Sequence, residues 1–277
     1  MPEGKIKIGV VAPASRIEPA LAEQVTALAH SLYQDRVEIV FHPQCFLSAN
    51  HFAGDDEARA LAFLRVANDD SFDALWVARG GYGSNRIVAQ VLDGLTPAAN
   101  AKTYLGYSDA GFLLAALYKA GIGTVVHGPI PADLMRAGGD AAVTRSLRYL
   151  VERAPDTLEP SVGAPLAAAF NLTILSHIVG TPLQPDLAGH VLMLEDVSEH
   201  LYRIDRALFH VTSNPEIRKV AGIRMGRFSD IPPNDPAFGE DEEQIARHWC
   251  AVSGIPYLGR ADIGHDAGNK IVPFGPA

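Results

Sequence analysis

Hydrophobic positions along the first 130 residues alternate between two periods. Lys5 to Ala12 is a β-branched run ended by Pro13, Ala14 and Ser15, and Glu18 to Tyr33 then places Leu21, Val25, Leu28 and Leu32 at helical spacing. The same alternation continues through a strand at Val37 to Phe41, a helix at Glu57 to Ala67 and a strand at Asp73 to Ala78. It repeats with a helix at Ile87 to Leu95, a strand at Thr103 to Gly106, a helix at Asp109 to Ala120 closed by Gly121, and a short strand opening at Val125 and Val126. Successive βα units of this length predict a parallel sheet covered on both faces. Such sheets carry their sites in the loops that leave the carboxyl ends of the strands.

From Arg136 the pattern loosens. Thr144 to Glu152 is predicted helical, and the Pro- and Gly-containing stretch from Asp156 to Pro165 reads as linker. Beyond it, Ala167 to Val179 is apolar and His190 to Leu194 is a predicted strand. A helix at Tyr202 to Thr212, a strand at Lys219 to Met225 and a helix at Glu240 to Ser253 follow, with a Gly- and Pro-rich tail from Gly264. The expected organisation is α/β: residues 1–150 as a parallel-sheet domain, 151–165 as linker, and 166–277 as a smaller second α/β domain.

Composition narrows the class. The 277 residues carry 23 Lys plus Arg against 32 Asp plus Glu, a formal charge of −9, which excludes nucleic acid or an anionic membrane as the main partner. No segment approaches the roughly 18 uncharged apolar residues of a membrane span, and the first residues lack a signal-peptide pattern. The two cysteines, Cys45 and Cys250, make no disulfide framework and suit a reducing compartment. The expectation is a soluble cytoplasmic protein.

Four segments carry candidate chemistry. In Leu105-Gly106-Tyr107-Ser108-Asp109-Ala110 a strand turns directly into a helix, a geometry that strains and exposes a serine and aims the next N–H at an oxyanion. Ala110 replaces the glycine of a G-x-S-x-G elbow, and a helix N-cap explains the same residues. Ala78-Arg79-Gly80-Gly81-Tyr82-Gly83-Ser84 brings backbone N–H groups close to an anion, or is a plain tight turn. Leu192-Met193-Leu194-Glu195-Asp196-Val197-Ser198-Glu199-His200 offers carboxylates that orient a histidine, or a solvated acidic turn. Ile263-Gly264-His265-Asp266-Ala267-Gly268-Asn269 sets a histidine between glycines in a flexible-looking loop. Serine, carboxylate and histidine in that order along the chain is a known triad order, here 87 and 70 residues apart.

Taken together the segments resemble a known family. VAPAS (Val11 to Ser15), FAGDDEAR, RGGYGS with Arg86, GYSD, HGPI (His127 to Ile130), FNLTIL with GTP, LEDVSEHLYRIDR and GHDAGNKIVPFG recur in order and span nearly the whole chain. The sequence resembles the serine LD-carboxypeptidases, the group that includes murein tetrapeptide carboxypeptidase and the microcin C self-immunity protein. That resemblance implies a flavodoxin-like N-terminal domain and a smaller C-terminal domain, with Ser108 as nucleophile, His265 as base and then acid, and Glu195 as orienting carboxylate. Glu199 competes for that last role; Glu195 is preferred because it ends the predicted strand and matches the LED position. The resemblance also implies an oxyanion hole from the N–H groups of Gly81 and Asp109, a cytoplasmic homodimer, and no metal or other cofactor.

Arg79, Gly80, Tyr82 and Arg203 are the expected substrate contacts, and Arg79, Arg86 or Arg203 the carboxylate partner. The expected substrate is a small peptide cut at its free C-terminus, a murein tetrapeptide. One departure stands out: Ala169-Phe170-Asn171 replaces the paired glycines usual before NLT in the family. An aromatic there could stack on a base, which motivates an alternative amidase acting on peptidyl or aminoacyl nucleotides. A non-catalytic small-molecule binding protein with RGGYG as anion loop is the alternative of another class.

Overall fold

The computed structural model describes residues 5–163 and 166–276. Ala164 and Pro165, the end of the expected linker, lie outside them, as do residues 1–4 and 277. The chain begins β1 (Ile6–Val11), α1 (Pro19–Tyr33), β2 (Val37–Phe41), α2 (Asp56–Ala67), β3 (Ala74–Val77), α3 (Val88–Gly94), β4 (Thr103–Gly106), α4 (Gly111–Ala120), β5 (Thr124–His127). The five strands are parallel in the order β2-β1-β3-β4-β5, the doubly wound flavodoxin arrangement. Every residue of β3 and β4 is buried, as a sheet covered on both faces requires. Gly121 closes α4 in the left-handed region at φ 67°.

The buried stripe of α1 is not the one its large residues suggest. Leu21, Ala22, Val25, Ala29 and Tyr33 face the sheet, while Leu32 is 42% exposed. Alanines keep that face close to the sheet, so an i, i+4 row with small members prevails over the leucine pattern.

Next come α5 (Gly139–Glu152), β6 (Ala167–Asn171), α6 (Leu172–Ile178), β7 (Val191–Val197), α7 (Leu201–Ser213), β8 (Gly222–Ser229), α8 (Glu242–Ser253), β9 (Tyr257–Arg260) and β10 (Val272–Pro273). Strands β6-β7-β8-β9 form a second, wholly parallel sheet. The apolar run from Ala167 divides at Asn171, whose side chain accepts from Ile174 N at 3.1 Å and caps α6. The strand β7 runs three residues beyond the predicted end at Leu194, because Glu195 and Asp196 have buried partners and need not turn out to water.

The tail joins the two sheets. β10 adds antiparallel to β5 at the edge of the first sheet, where a proline is tolerated. Ile271 bridges to Leu158 and accepts from Glu159 N at 2.9 Å, and Gly275 bridges to Ala167 of β6. Phe274 packs edge-on against Phe170 (5.0 Å between centroids) and Tyr118 (5.5 Å). One apolar cluster accordingly runs from β3, β4 and α4 through β6, β7 and α7. Both cysteines are free and buried, and among the described residues no helix is long and apolar enough to cross a membrane.

Candidate active site

The corner after β4 is strained in the way the sequence suggests. Tyr107 is extended, and Ser108 takes φ 58°, a left-handed conformation costly for a side chain with a Cβ. A 3-10 turn over Ser108–Ala110 then feeds α4. Glycine is needed opposite: a Cβ on Gly80 would stand 2.9 Å from Ser108 Oγ and 3.0 Å from its Cβ. Neither the Gly81 nor the Asp109 N–H donates to an acceptor among the described residues.

Asp109 does more than offer an N–H. Its carboxylate is buried and accepts from Gly83 N at 3.2 Å and Ser84 N at 2.8 Å, while Ser84 Oγ donates to the Asp109 carbonyl. Burial holds this carboxyl above its ordinary pKa even though those donors favour the charged form. The glycine loop is thereby bolted to the serine corner. Arg59, wholly buried, ties in the loop from the other side by donating to the carbonyls of Pro13 and Gly83. Within FAGDDEAR nothing in the periodicity marks it as buried.

Glu195 sits inside β7, not at its end, where the β7–β8 register shifts between Leu194 and Asp196. Such a bulge redirects side chains. Gly226 makes the room, since a Cβ there would come within 2.9 Å of Glu195 Cβ. Glu195 Oε2 meets His265 Nδ1 at 2.5 Å, with both side chains almost wholly buried. Glu199 instead pairs with Arg203 at 2.7 Å. Asp196 is consumed structurally, accepting from Asn171 Nδ2, Thr173 N and Thr173 Oγ1 at 2.8–2.9 Å.

The glycine-flanked loop around His265 is held, not loose. Arg136 Nη1 donates to the His265 carbonyl at 2.6 Å, Arg145 to the carbonyls of Ala267 (2.9 Å) and Asn269 (2.7 Å), and Arg227 grips Asp266 and Asp262. Burial disfavours the imidazolium, but the Glu195 carboxylate outweighs it and the His265 pKa stands above its ordinary value. Burial likewise raises Glu195, so the pair holds its proton more tightly than either group would in water. His127, fully buried beside Tyr107, is pushed down to about 3 by desolvation and by His265, and is neutral.

Ser108 and His265 line one cavity of about 480 Å³ with Arg79, Gly80, Gly81 and Arg136. Among the described residues the His265 ring bonds to Glu195 and not to Ser108. The expected contacts divide. Arg79 and Gly80 are in place, but Tyr82 is half exposed against His51 and Phe52, away from the cavity. Arg86 pairs with Asp56 at 2.9 Å, and Arg203 lines a separate groove between α6 and α7. Arg136, from the loop after β5, escaped the sequence reading; its one signal is position, past the carboxyl end of a sheet strand. Phe170 is 1% exposed and faces Phe274, so it is a core residue and not a pocket wall.

A doubly wound sheet presenting a strained serine to a buried histidine–carboxylate pair defines a serine-type hydrolase. Residues 8–128 match the LD-carboxypeptidase N-terminal domain and residues 168–277 the LD-carboxypeptidase C-terminal domain. The chain belongs to the LD-carboxypeptidase family, and is a serine-type carboxypeptidase. It is 32% identical over 246 residues to a protein named as a carboxypeptidase in Synechocystis sp., covering 86% of this chain and 79% of that one. The murein tetrapeptide carboxypeptidase of Pseudomonas aeruginosa is 27% identical over 97% of this chain and 91% of its own. The crystal structure of muramoyltetrapeptide carboxypeptidase from Oxalobacter formigenes superposes with a TM-score of 0.79 at 24% identity, covering 96% of this chain and 93% of that one.

Proposed function

We propose that the chain removes the C-terminal residue of a murein tetrapeptide by acyl transfer to Ser108. The observation that carries the assignment of roles is the 2.5 Å contact between Glu195 Oε2 and His265 Nδ1, which leaves Nε2 to serve the serine. His265 Nε2 takes the Ser108 hydroxyl proton as Oγ attacks the scissile carbonyl. The N–H groups of Gly81 and Asp109 hold the oxyanion. The imidazolium, stabilised by Glu195, then gives its proton to the leaving amine and the C–N bond breaks. Water, deprotonated by the same nitrogen, cleaves the acyl-enzyme and returns the proton to Ser108.

The relative named murein tetrapeptide carboxypeptidase supports this substrate, and action in the cytoplasm with a part in the turnover of cell-wall peptides follows from the family resemblance. A homodimer rests on the family resemblance alone. Phe170, buried in the core, offers no ring to a base, and the nucleotide-directed alternative stands as the second reading on the chain's likeness in fold to MccF, solved in complex with glutamyl sulfamoyl guanosine. Incubation with murein tetrapeptide, with mass spectrometry of the products, tests the proposal: a tripeptide and a free amino acid are expected, and an intact peptide rejects it. Anion binding without turnover would favour the non-catalytic binding protein.

A further inference from the structure

Arg79 and Arg136 both reach the cavity beside Ser108, and the chemistry of the proposed reaction distinguishes them. The leaving amine has to meet the base that protonates it. In a C-terminal residue the free carboxylate is borne on the next carbon, so its oxygens lie within roughly 3–4 Å of that nitrogen. A cation that grips the carboxylate therefore stands beside the histidine. The oxyanion-binding N–H groups face a different substituent of the same carbonyl carbon.

Arg136 meets this requirement. Its Nη1 donates to the carbonyl of His265 itself at 2.6 Å, and its Nε to Asp133 Oδ1 at 3.0 Å. Asp133 is 3% exposed and also accepts from Tyr107 Oη at 2.7 Å and Ile130 N at 2.9 Å. Three donors thus spread the Asp133 charge, and the guanidinium is fixed to a buried base. Two of the five N–H bonds a guanidinium offers are committed, leaving the outer ones for a ligand. Arg79 leaves β3 on the wall that carries Gly81 and turns to the Arg16 carbonyl at 3.2 Å. Arg86 and Arg203 are paired with acids outside the cavity.

We infer that Arg136 binds the C-terminal carboxylate of the substrate and so confines cleavage to the last peptide bond. The inference rests on hydrolysis at Ser108, and the experiment separates the two. Murein tetrapeptide and the same peptide as its C-terminal amide are compared as substrates of the wild type, Arg136→Gln, Arg136→Lys, Arg79→Gln and Ser108→Ala. The wild type is expected to prefer the free acid. Arg136→Gln should lose about 10- to 100-fold in kcat/KM on the acid, mainly through KM, with the amide little changed. Arg136→Lys should recover part of the preference, and Arg79→Gln should keep it. A role limited to bracing the His265 loop would lower both substrates alike, so an unchanged acid-to-amide ratio in Arg136→Gln overturns the inference. Turnover surviving in Ser108→Ala, or no cleavage of either peptide by the wild type, overturns the proposed reaction and the inference with it.

Discussion

His265 Nδ1 and Glu195 Oε2 lie 2.5 Å apart although 70 residues separate them in the chain. One comes from a loop between β9 and β10, the other from the middle of β7. Their pairing fixes the imidazole tautomer and raises its proton affinity. The rate should record this directly. As the proposed base His265 acts only when neutral, and its pKa is raised, so activity should be lost as pH falls through that raised value. The acidic limb of kcat/KM is expected above the ordinary histidine value of about 6.5. In Glu195→Gln the limb should move to lower pH while the plateau drops about 10²–10⁴-fold. A limb that stays put in that variant contradicts the pairing.

Ser108→Ala keeps the backbone corner and removes only the attacking oxygen. Peptide hydrolysis should fall at least about 10³-fold with the melting temperature nearly unchanged. Steady-state kinetics beside a thermal melt checks both halves, and undiminished turnover removes Ser108 from the mechanism.

Gly80→Ala tests the close approach of the glycine loop. The added methyl would press on Ser108 Oγ and Cβ at about 3 Å. A displaced nucleophile should lower kcat by about 10²-fold with a smaller change in KM. Wild-type kcat in this variant would mean the loop yields freely.

Asp109→Ala leaves the buried N–H groups of Gly83 and Ser84 without acceptors. The expected cost is about 2–4 kcal/mol in urea unfolding, along with loss of turnover. A variant as stable as the wild type would show that water replaces the carboxylate.

Phe274→Ala removes the ring that seats the tail on Phe170 and Tyr118. It should destabilise the protein by about 3–5 kcal/mol, read from denaturant midpoints. Because the tail closes the His265 loop, residual activity should fall faster on warming than in the wild type.

What was legible in the sequence follows physical range. The βα alternation and the strand-to-helix serine were readable because periodicity and turn chemistry are local. Glu195 and His265 were recognisable through the ordered family blocks, since nothing local tells a triad carboxylate from an acidic turn. Of the two carboxylates it is Glu195 that lies against His265 while Glu199 pairs with Arg203, and a strand that runs on to Val197 removes the expectation that Glu195 ends it. Arg136, Arg145 and Arg227 went unnoticed because their partners are mostly backbone carbonyls more than 100 residues away or acids across a loop. Phe170 was misread for a similar reason: only the returning tail makes its position core. β10 itself hides in a Gly- and Pro-rich stretch that satisfies no strand rule except tolerance at an edge.

That returning tail also sets a clock. A chain made from its N-terminus presents the Ser108 corner 157 residues before His265 exists, on the order of 8–30 s at ordinary rates of translation. Even then the strand that follows the histidine loop cannot pair with β5 until Val272 and Pro273 emerge. On the proposed mechanism Ser108 therefore waits on the ribosome without its base, and the order of synthesis alone delays hydrolysis until the tail is in place.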